Sequence, residues 1–359
     1  MAADNLTNIS SALTQSFSKR LVKNWNRQGI LISQIPVVSD GGQGDAKQVA
    51  WDALMTGATA GAFLEGSDVA QSEFNQDPAI PAVLPWGMYR TAFKLSNLEI
   101  NAGSRNLAGA IELGNLVGLR AEGSITKMLS VMNRDFFSGT GTDASGSPNV
   151  VGLSAALQNS GTYAGISKNQ YVEWQGNVLG NGGVVRPLTF DLLAALEQSV
   201  FIASGRQPTA IVCSPGIARK YEGLFESRRM TIDNGSAAVL GYQGSTTMPY
   251  TGPQTNLYWR SLPIFRDRDC PPNTLYMLNM QELETKYLPF SPLAPDGVNV
   301  RNANMPSSDG TNFAPTNIQC TVYPLARLGS AVPFVAEVYV QMKLSRPNAH
   351  GLLLDCAEI

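Results

Sequence analysis

The sequence is poor in charge and holds a single histidine. Charged residues make up 15% of the chain, where about a quarter is usual for globular domains. Because interface cores are depleted in charge, this low share favours a surface that other protein chains cover. One histidine cannot make a His-rich metal site, and the sequence has no HExxH or Cys/His spacing. We interpret His350 as a loop residue at the end of a strand.

Long apolar runs, basic runs and paired cysteines are also missing. No apolar stretch reaches the ~18 residues of a membrane span, and the first residues lack the features of a secretion signal. The net charge is −2 and no basic run occurs, which argues against tight nucleic-acid binding. No cysteines form a CxxC pair, so we expect small buried thiols in a reducing cytoplasm. These cysteines are Cys213, Cys270, Cys320 and Cys356.

Catalytic and phosphate-binding motifs are absent as well. The chain has no GxxxxGK[ST] sequence, no GxSxG, and no GxGxxG between a strand and a helix. Ser214 precedes a proline and is better explained as a helix cap than as a nucleophile. The densest charge cluster, Arg266-Asp-Arg-Asp269, alternates in sign, which is typical of a solvated or inter-subunit salt-bridge patch. We predict no catalytic residue, no cofactor or metal site, and no enzyme.

One long helical pattern dominates what the sequence does contain. From Leu107 to Phe136, apolar or small residues recur every three or four positions and keep one face toward a core. Such a helix would span roughly 45 Å. Glycines interrupt it, each costing about 1 kcal/mol relative to alanine, so we expect close packing or bending there. These glycines are Gly109, Gly114, Gly118 and Gly123.

Two alternating segments before this helix predict strands. They run from Val49 to Met55 and from Tyr89 to Leu95, and a proline-containing polar loop separates them. We expect these two strands to form a long protruding hairpin. Because a two-stranded hairpin is only marginally stable in water, the pattern indicates a partner chain. The first 35 residues predict a helix around Leu13 to Trp25, either an ordinary surface helix or an arm on a neighbouring subunit.

The second half of the chain predicts a helix–strand–helix unit followed by strands. Thr189 is the expected N-cap of a helix that stops at Gly205. A buried strand at 208–213 then leads into a helix that Ser214-Pro215 opens. Further strands are expected at 257–259, 262–265, 274–279 and 332–342, with loops at 227–256 and 289–317.

Several segments resemble, in this order, tailed-bacteriophage major capsid proteins. Arg134-Asp-Phe-Phe-Ser-Gly-Thr-Gly-Thr142 and Pro148-Asn-Val-Val-Gly-Leu153 resemble that family's passage from spine helix through a GxG loop to P-x-GL. Leu188-Thr-Phe-Asp-Leu-Leu193 and Ala210-Ile-Val-Cys-Ser-Pro215 resemble the helix and strand that follow. Residues 262–278 resemble its later strand–turn–strand segment, with an aspartate-rich turn. The order of elements is more specific than any single motif.

The resemblance implies an α+β fold, the Hong Kong ninety-seven-type coat fold. It has an N-arm, an extended β-hairpin loop, a peripheral domain with a long spine helix, and an axial domain. The implied ranges are 1–45 for the N-arm, 46–100 for the extended loop, 101–187 for the peripheral domain with its spine helix at 107–136, 188–317 for the axial domain, and 318–359 for strands returning to the peripheral domain.

The resemblance also implies a function and its partners. Copies would assemble through pentamers and hexamers into an icosahedral head around double-stranded DNA, bound without sequence specificity and without a membrane. Scaffolding and portal proteins, and in some relatives a decoration protein, would be partners of a virion component assembled in the host cytoplasm. Some relatives cross-link through a lysine in the extended loop; Lys47 and Lys94 flank this hairpin away from its tip, so we do not expect that chemistry.

Two alternatives remain open at this point. One is the shell protein of a bacterial nanocompartment with the same fold, which would enclose enzymes in place of DNA. The other is an α+β enzyme that uses carboxylates such as Asp267 and Asp269. Replacing those two residues would abolish turnover in an enzyme, whereas in a coat protein it would impair assembly or particle stability.

Overall fold

A computed structural model describes most of the chain after residue 28. The described residues are 29–39, 47–55, 62, 65, 79–103, 107–226, 257–288, 298–300, 320–325 and 329–358. The expected helix around Leu13 to Trp25 and the loop at 227–256 lie outside them. So do the surroundings of Gly109, Gly114 and Gly118, where close packing or bending was expected.

Helices and strands alternate irregularly along the chain. The helices are α1 (Ile30–Gln34), α2 (Asn97–Gly103), α3 (Leu107–Ser138), α4 (Leu153–Ala156), α5 (Phe190–Ser204) and α6 (Pro215–Glu226), with 3-10 turns at Val172–Trp174 and Pro347–Ala349. The strands are β1 (Val37–Ser39), β2 (Gln48–Ala53), β3 (Ile80–Pro85), β4 (Gly87–Ser96), β5 (Thr140–Thr142), β6 (Pro148–Val151), β7 (Thr162–Tyr163), β8 (Ile166–Ser167), β9 (Asn177–Leu179), β10 (Ala210–Cys213), β11 (Tyr258–Trp259), β12 (Leu262–Arg266), β13 (Leu275–Leu278), β14 (Leu283–Tyr287), β15 (Val298–Val300), β16 (Cys320–Pro324), β17 (Ala331–Leu344) and β18 (Gly351–Leu353).

One six-stranded sheet, here called sheet A, is built around the long strand β17. Strand β4 pairs with it antiparallel from Ala331↔Ser96 to Val340↔Gly87. On its other edge, β17 pairs first with β16 and further along with β14. Strand β15 pairs with β16 and β1 pairs with β14, which completes the sheet. Alternate side chains of β17, from Ala336 to Met342, are at most 2% exposed. The alternation predicted from the sequence is therefore confirmed.

The second six-stranded sheet, sheet B, has the order β11-β12-β10-β13-β18-β9. Its central strand β10 is buried at every position. Helix α5 begins at a Thr189 cap, whose hydroxyl accepts the N–H of Leu192, and ends at Gly205 in a left-handed conformation. Helix α6 begins at Pro215, after the cap residue Ser214. Both predicted helix starts are confirmed.

The predicted long helix is confirmed as α3, which runs from Leu107 to Ser138. Its apolar face, with Ile125, Met128, Met132 and Phe136, is at most 8% exposed and belongs to the larger core. Strand β4, helix α1 and helix α4 pack against it. Because this core also takes in the buried face of sheet A, helix and sheet form one layered unit.

The hairpin pairs differently from the sequence prediction. Strand β2 pairs with β3 at Ile80–Pro85, within the stretch interpreted as loop, while the predicted partner at Tyr89–Leu95 pairs with β17. The prolines in β3 explain the error, since proline is unusual inside a sheet but tolerated in a strand with a free edge. We call residues 48–85, which contain this two-stranded hairpin, the flap. The prediction of a loop at 289–317 was also wrong in part, because strand β15 lies within it.

The end of α3 requires glycine at two places. A Cβ at Gly139 would lie 2.0 Å from the carbonyl oxygen of Val150, and one at Gly152 would lie 2.6 Å from that of Asp135. Both glycines donate backbone hydrogen bonds at this point. The Gly139 N–H donates to the carbonyl oxygen of Asp135 at 2.7 Å, and the Gly152 N–H donates to that of Gly139 at 2.8 Å. The helix end and β6 therefore approach more closely than any side chain allows.

Replacing Gly139 with alanine should destabilise the subunit by about 3 kcal/mol, because the clash is with backbone that cannot rotate away. Chemical denaturation of the unassembled protein measures the change. Gly223→Ala is the matched control, since its Cβ would meet nothing within 4 Å and alanine favours a helix. Equal stability of the two variants would contradict this account.

Candidate assembly surfaces

A buried carboxylate joins three distant parts of the chain. Asp267, at 0% exposure, accepts the backbone N–H groups of Ile30 at 3.0 Å and Leu31 at 2.9 Å. The Asn133 side chain on α3 donates to both Asp267 oxygens at 3.1 Å and accepts the N–H of Ile32 at 3.2 Å. We call these five residues the junction. It fixes α1 to the long helix and to the turn that follows β12 in sheet B.

The junction corrects the interpretation of the Arg266–Asp269 cluster. Asp267 is not solvated, and burial raises its pKa although several hydrogen bonds to the carboxylate oppose that effect. Asp269 accepts from the Asn133 side chain at 3.0 Å, and its own N–H bonds to Asp267. Arg266 lies 3.5 Å from Glu222, a half-exposed ion pair. The two aspartates therefore organise backbone and do not form a carboxylate pair open to a substrate.

The base of the flap rests on an aromatic cluster. The Trp51 ring centre lies 6.3 Å from that of Tyr163 and 6.5 Å from that of Trp174. Lys343 of β17 places its ammonium 5.5 Å from the Trp51 ring centre, within cation–π range. The flap is thus anchored to the body at its base. The structure describes only Ala62 and Glu65 of the segment from 56 to 78.

A buried lysine lies beside this aromatic cluster. The Lys168 side chain is at 0% exposure and donates to the carbonyl oxygen of Ala155, in the last turn of α4, at 2.9 Å. Its ammonium is 6.0 Å from the Tyr163 ring centre. Burial lowers the pKa of Lys168 to about 8. Nothing in the sequence pattern had indicated a buried ammonium here.

The other residues considered from the sequence have structural roles. His350 is fully buried in the connection before β18, its Nδ1 accepts the Asn279 N–H at 3.2 Å, and burial lowers its pKa to about 3. The Ser214 hydroxyl caps α6 and donates to Glu358. Three free cysteines are buried, as predicted: Cys213, Cys270 and Cys356. Lys47 and Lys94 are exposed on either side of the flap.

Large apolar side chains are exposed at several places. Phe201 and Ile202, in the last turn of α5, are 50% and 73% exposed, and Val172 and Leu54 exceed 65%. Within the described ranges, no group of three or more potential metal ligands occurs. Among those same residues, no helix is long and apolar enough to cross a membrane. Exposed apolar groups beside a low charge content fit protein–protein contacts.

Replacing Asp267 with alanine should release α1, because the N–H groups of Ile30 and Leu31 would lose their acceptor. The Asn133 amide would keep only its bond to Asp269. We expect a loss of about 2–4 kcal/mol and at least tenfold faster amide exchange at residues 30–34. Hydrogen exchange with mass spectrometry measures both. Asp269→Ala leaves the hydrogen bonds to α1 in place and should change amide exchange at residues 30–34 far less. Equal exchange rates in the two variants would refute a specific role of Asp267 in holding α1.

The lowered pKa of Lys168 predicts that the stability of the subunit depends on pH. Its pKa is about 8 in the folded state against an ordinary 10.5, so unfolding takes up a proton between these values. The free energy of unfolding should rise with pH across this window, by at most about 1.4 kcal/mol per unit. Lys168→Met should remove that rise when urea unfolding is compared from pH 7 to 10. Parallel curves for the two proteins would contradict the prediction.

Comparison with known proteins identifies the family to which the chain belongs. Residues 117–303, just over half of its 359 residues, match the family model described as SU10 major capsid protein. A search of curated proteins finds no match.

Solved structures agree on the fold. The chain is similar to the cyanophage A-1(L) capsid asymmetric unit, with a TM-score of 0.72 and 18% identity over 97% of this chain and 98% of that one. The SrpI encapsulin of Synechococcus elongatus PCC 7942 gives a TM-score of 0.57 at 10% identity, over 98% and 95%. The capsid of an empty GTA particle gives 0.54 at 12%, over 97% and 96%. The α+β coat fold expected from the sequence is confirmed, and the chain belongs to the SU10 major capsid protein family.

Proposed function

We propose that this major capsid protein forms the icosahedral head of a tailed phage, built from pentamers and hexamers around double-stranded DNA. The observation that carries the proposal is the family match, which covers residues 117–303, from the long helix to strand β15. Similarity to the cyanophage capsid over nearly the whole chain supports it. The −2 net charge also fits, since an inner wall that held DNA tightly would hinder packaging and release.

The two sheets suggest how the domains divide. We assign the α3 helix and sheet A, apart from β1 and β4, to the peripheral domain, and sheet B with α5 and α6 to the axial domain. Residues 1–45, with β1, form the N-arm, and residues 46–100, with β4, form the extended loop on this assignment. The tail serves both domains on this assignment, because β17 lies in sheet A whereas β18 lies in sheet B. Strands β9, β14 and β15 likewise move from the domains implied by the resemblance to the domains of the sheets in which they pair.

The proposal includes the partners that such a head requires. Scaffolding and portal proteins, the packaged DNA and an external decoration protein are the partners we expect, with assembly in the host cytoplasm before release of the virion. We propose no catalytic role. Both oxygens of Asp267 are occupied by the junction, so this carboxylate is poorly suited to acid–base chemistry on a substrate.

A nanocompartment shell is the second candidate. The observation in its favour is the similarity to the SrpI encapsulin over 98% of the chain. The contents of purified particles separate the candidates: phage-derived particles should hold double-stranded DNA, detectable by nuclease-resistant absorbance at 260 nm. Particles that instead enclose an enzyme and no DNA would favour the nanocompartment.

Removing the flap tip should block shell formation without unfolding the subunit. The change replaces residues 56–78 with a short Gly-Ser linker, which the pairing of Ala53 with Ile80 allows. It retains β3, whose Ala82 and Leu84 are at most 3% exposed, so the subunit core keeps its packing. Sedimentation and electron microscopy should show soluble capsomers and no stable shells.

A matched control inserts the same linker into the exposed turn at 143–146, where the chain also bends back between two short strands. That variant should assemble like the unmodified protein. Normal shells from the flap-tip deletion would refute the assembly role of the flap.

A further inference from the structure

One turn beside sheet B carries an asparagine followed by two glycines. Asn181, Gly182 and Gly183 are exposed and connect β9 to the segment that precedes α5. Both glycines have positive φ, at 66° and 83°, and the Val184 N–H donates to the carbonyl oxygen of Asn181 at 3.2 Å. Two central residues with positive φ define the tight turn that Asn and Gly favour. The turn therefore forms locally, and Asn181 lies open to water.

The backbone nitrogen of Gly182 differs from its two neighbours in its hydrogen bonding. The N–H groups of Asn181 and Gly183 both donate to the same oxygen of the Asp355 side chain, at 2.7 Å and 3.1 Å. The Gly182 N–H forms no hydrogen bond with any residue that the structure describes. A Cβ added at Gly182 would meet nothing within 4 Å, so the space around this residue is open. Hydroxide can therefore reach this N–H and remove its proton.

The Asn181 carboxamide lies next to that nitrogen along the chain. A bond between its side-chain carbon Cγ and the Gly182 nitrogen would close a five-membered ring of low strain. In the folded subunit, the Asn181 Nδ2 donates to the carbonyl oxygen of Val184 at 2.8 Å, which holds the carboxamide over the turn. This bond is exposed, and replacing an exposed hydrogen bond by one to water costs little. Because glycine has no Cβ, nothing crowds the approach of the two groups.

We propose that Asn181 is a self-modification site, where the chain deamidates without the help of another protein. The deprotonated Gly182 nitrogen attacks the Asn181 Cγ, and the bond from Cγ to Nδ2 breaks. Nδ2 takes up one proton and leaves as ammonia, and a cyclic imide remains. Water then opens the imide at either of its two carbonyl groups, which gives aspartate or isoaspartate. The reaction consumes one water and releases one ammonia, so its balance needs no oxidant or other co-reactant.

Deamidation weakens the attachment of residues 354–358, here called the terminal segment, to the turn. Asp355 has a positive φ of 62°, which is uncommon for a residue with a side chain. The Arg186 N–H donates to the Asp355 carbonyl oxygen and the Ala357 N–H donates to that of Arg186, both at 2.8 Å. Aspartate at position 181 puts a second negative charge beside Asp355, and isoaspartate lengthens the backbone of the turn by one atom. Either product weakens the two hydrogen bonds from the turn to the Asp355 side chain.

The terminal segment in turn holds the start of α6. The Glu358 carboxylate accepts the Ser214 hydroxyl and also the Asn273 N–H, the latter at 2.8 Å. Ser214 is the cap residue of α6. A Cβ added at Gly216 would lie 2.6 Å from the Glu358 Cβ, so the terminal segment packs directly on the first turn of this helix. Deamidation should therefore speed amide exchange both in the terminal segment and at the start of α6.

Peptide mass spectrometry of the purified protein, stored at pH 7 and at pH 9, measures the reaction. The matched control is Asn273, which also has a positive φ but precedes the buried, β-branched Thr274. Position 181 should lose its amide at least about tenfold faster than Asn273, and faster at pH 9 because the attacking nitrogen must first lose a proton. Isoaspartate should appear among the products. Equal rates at the two asparagines, or products without isoaspartate, would overturn the proposal.

Hydrogen exchange tests the structural consequence. After storage, residues 354–358 and 216–218 should exchange at least about threefold faster in the unmodified protein. Asn181→Gln keeps an amide but would have to close a larger ring, so its exchange should not change with storage. Equal acceleration in both proteins, or complete deamidation without faster exchange, would overturn the effect on the terminal segment. Both experiments use unassembled subunits, so a failure to form shells would count against the proposed function and not against this inference.

Discussion

The buried Asp267 carboxylate is the interaction on which the arrangement of this subunit depends. It accepts N–H groups from residues more than two hundred positions earlier in the chain and is held by Asn133 near the end of the long helix. A buried charge without partners would be strongly destabilising, so the three elements must come together or leave it unsatisfied. The junction therefore places the start of the described chain, the helix and the turn after β12 in one geometry, from which sheets A and B extend.

Around that fixed point, the subunit leaves several surfaces incomplete. The flap is a two-stranded hairpin held through its base, and large apolar side chains at the end of α5 are exposed. A monomeric enzyme of this size would normally cover such groups with its own chain. In a coat protein, the same groups belong to contacts that neighbouring copies complete. Low charge content and exposed apolar groups are both consistent with a surface that neighbouring copies cover.

Local patterns predicted much of this fold, whereas contacts between distant residues did not follow from them. The spacing of apolar residues gave α3, and the Thr189 and Ser214 caps gave the starts of α5 and α6, because caps and periodicity act within a few residues. The pairing of β2 with β3 was missed because prolines in β3 argue against a strand. Asp267 was misplaced because alternating charges normally lie in solvent. Asn133 was the available signal: an amide on the buried side of a helix, beside Met132, requires a polar partner.

The long helix divides its surface between the two tasks. Its buried side contributes methionine and phenylalanine to the core, and its outer side carries cations seven residues apart. In a chain with so few charges, the exposed Lys127 and Arg134 are held at a fixed spacing, because the helix is a rigid rod. The geometry of a single helix thus determines both which side chains join the core and which cations face outward.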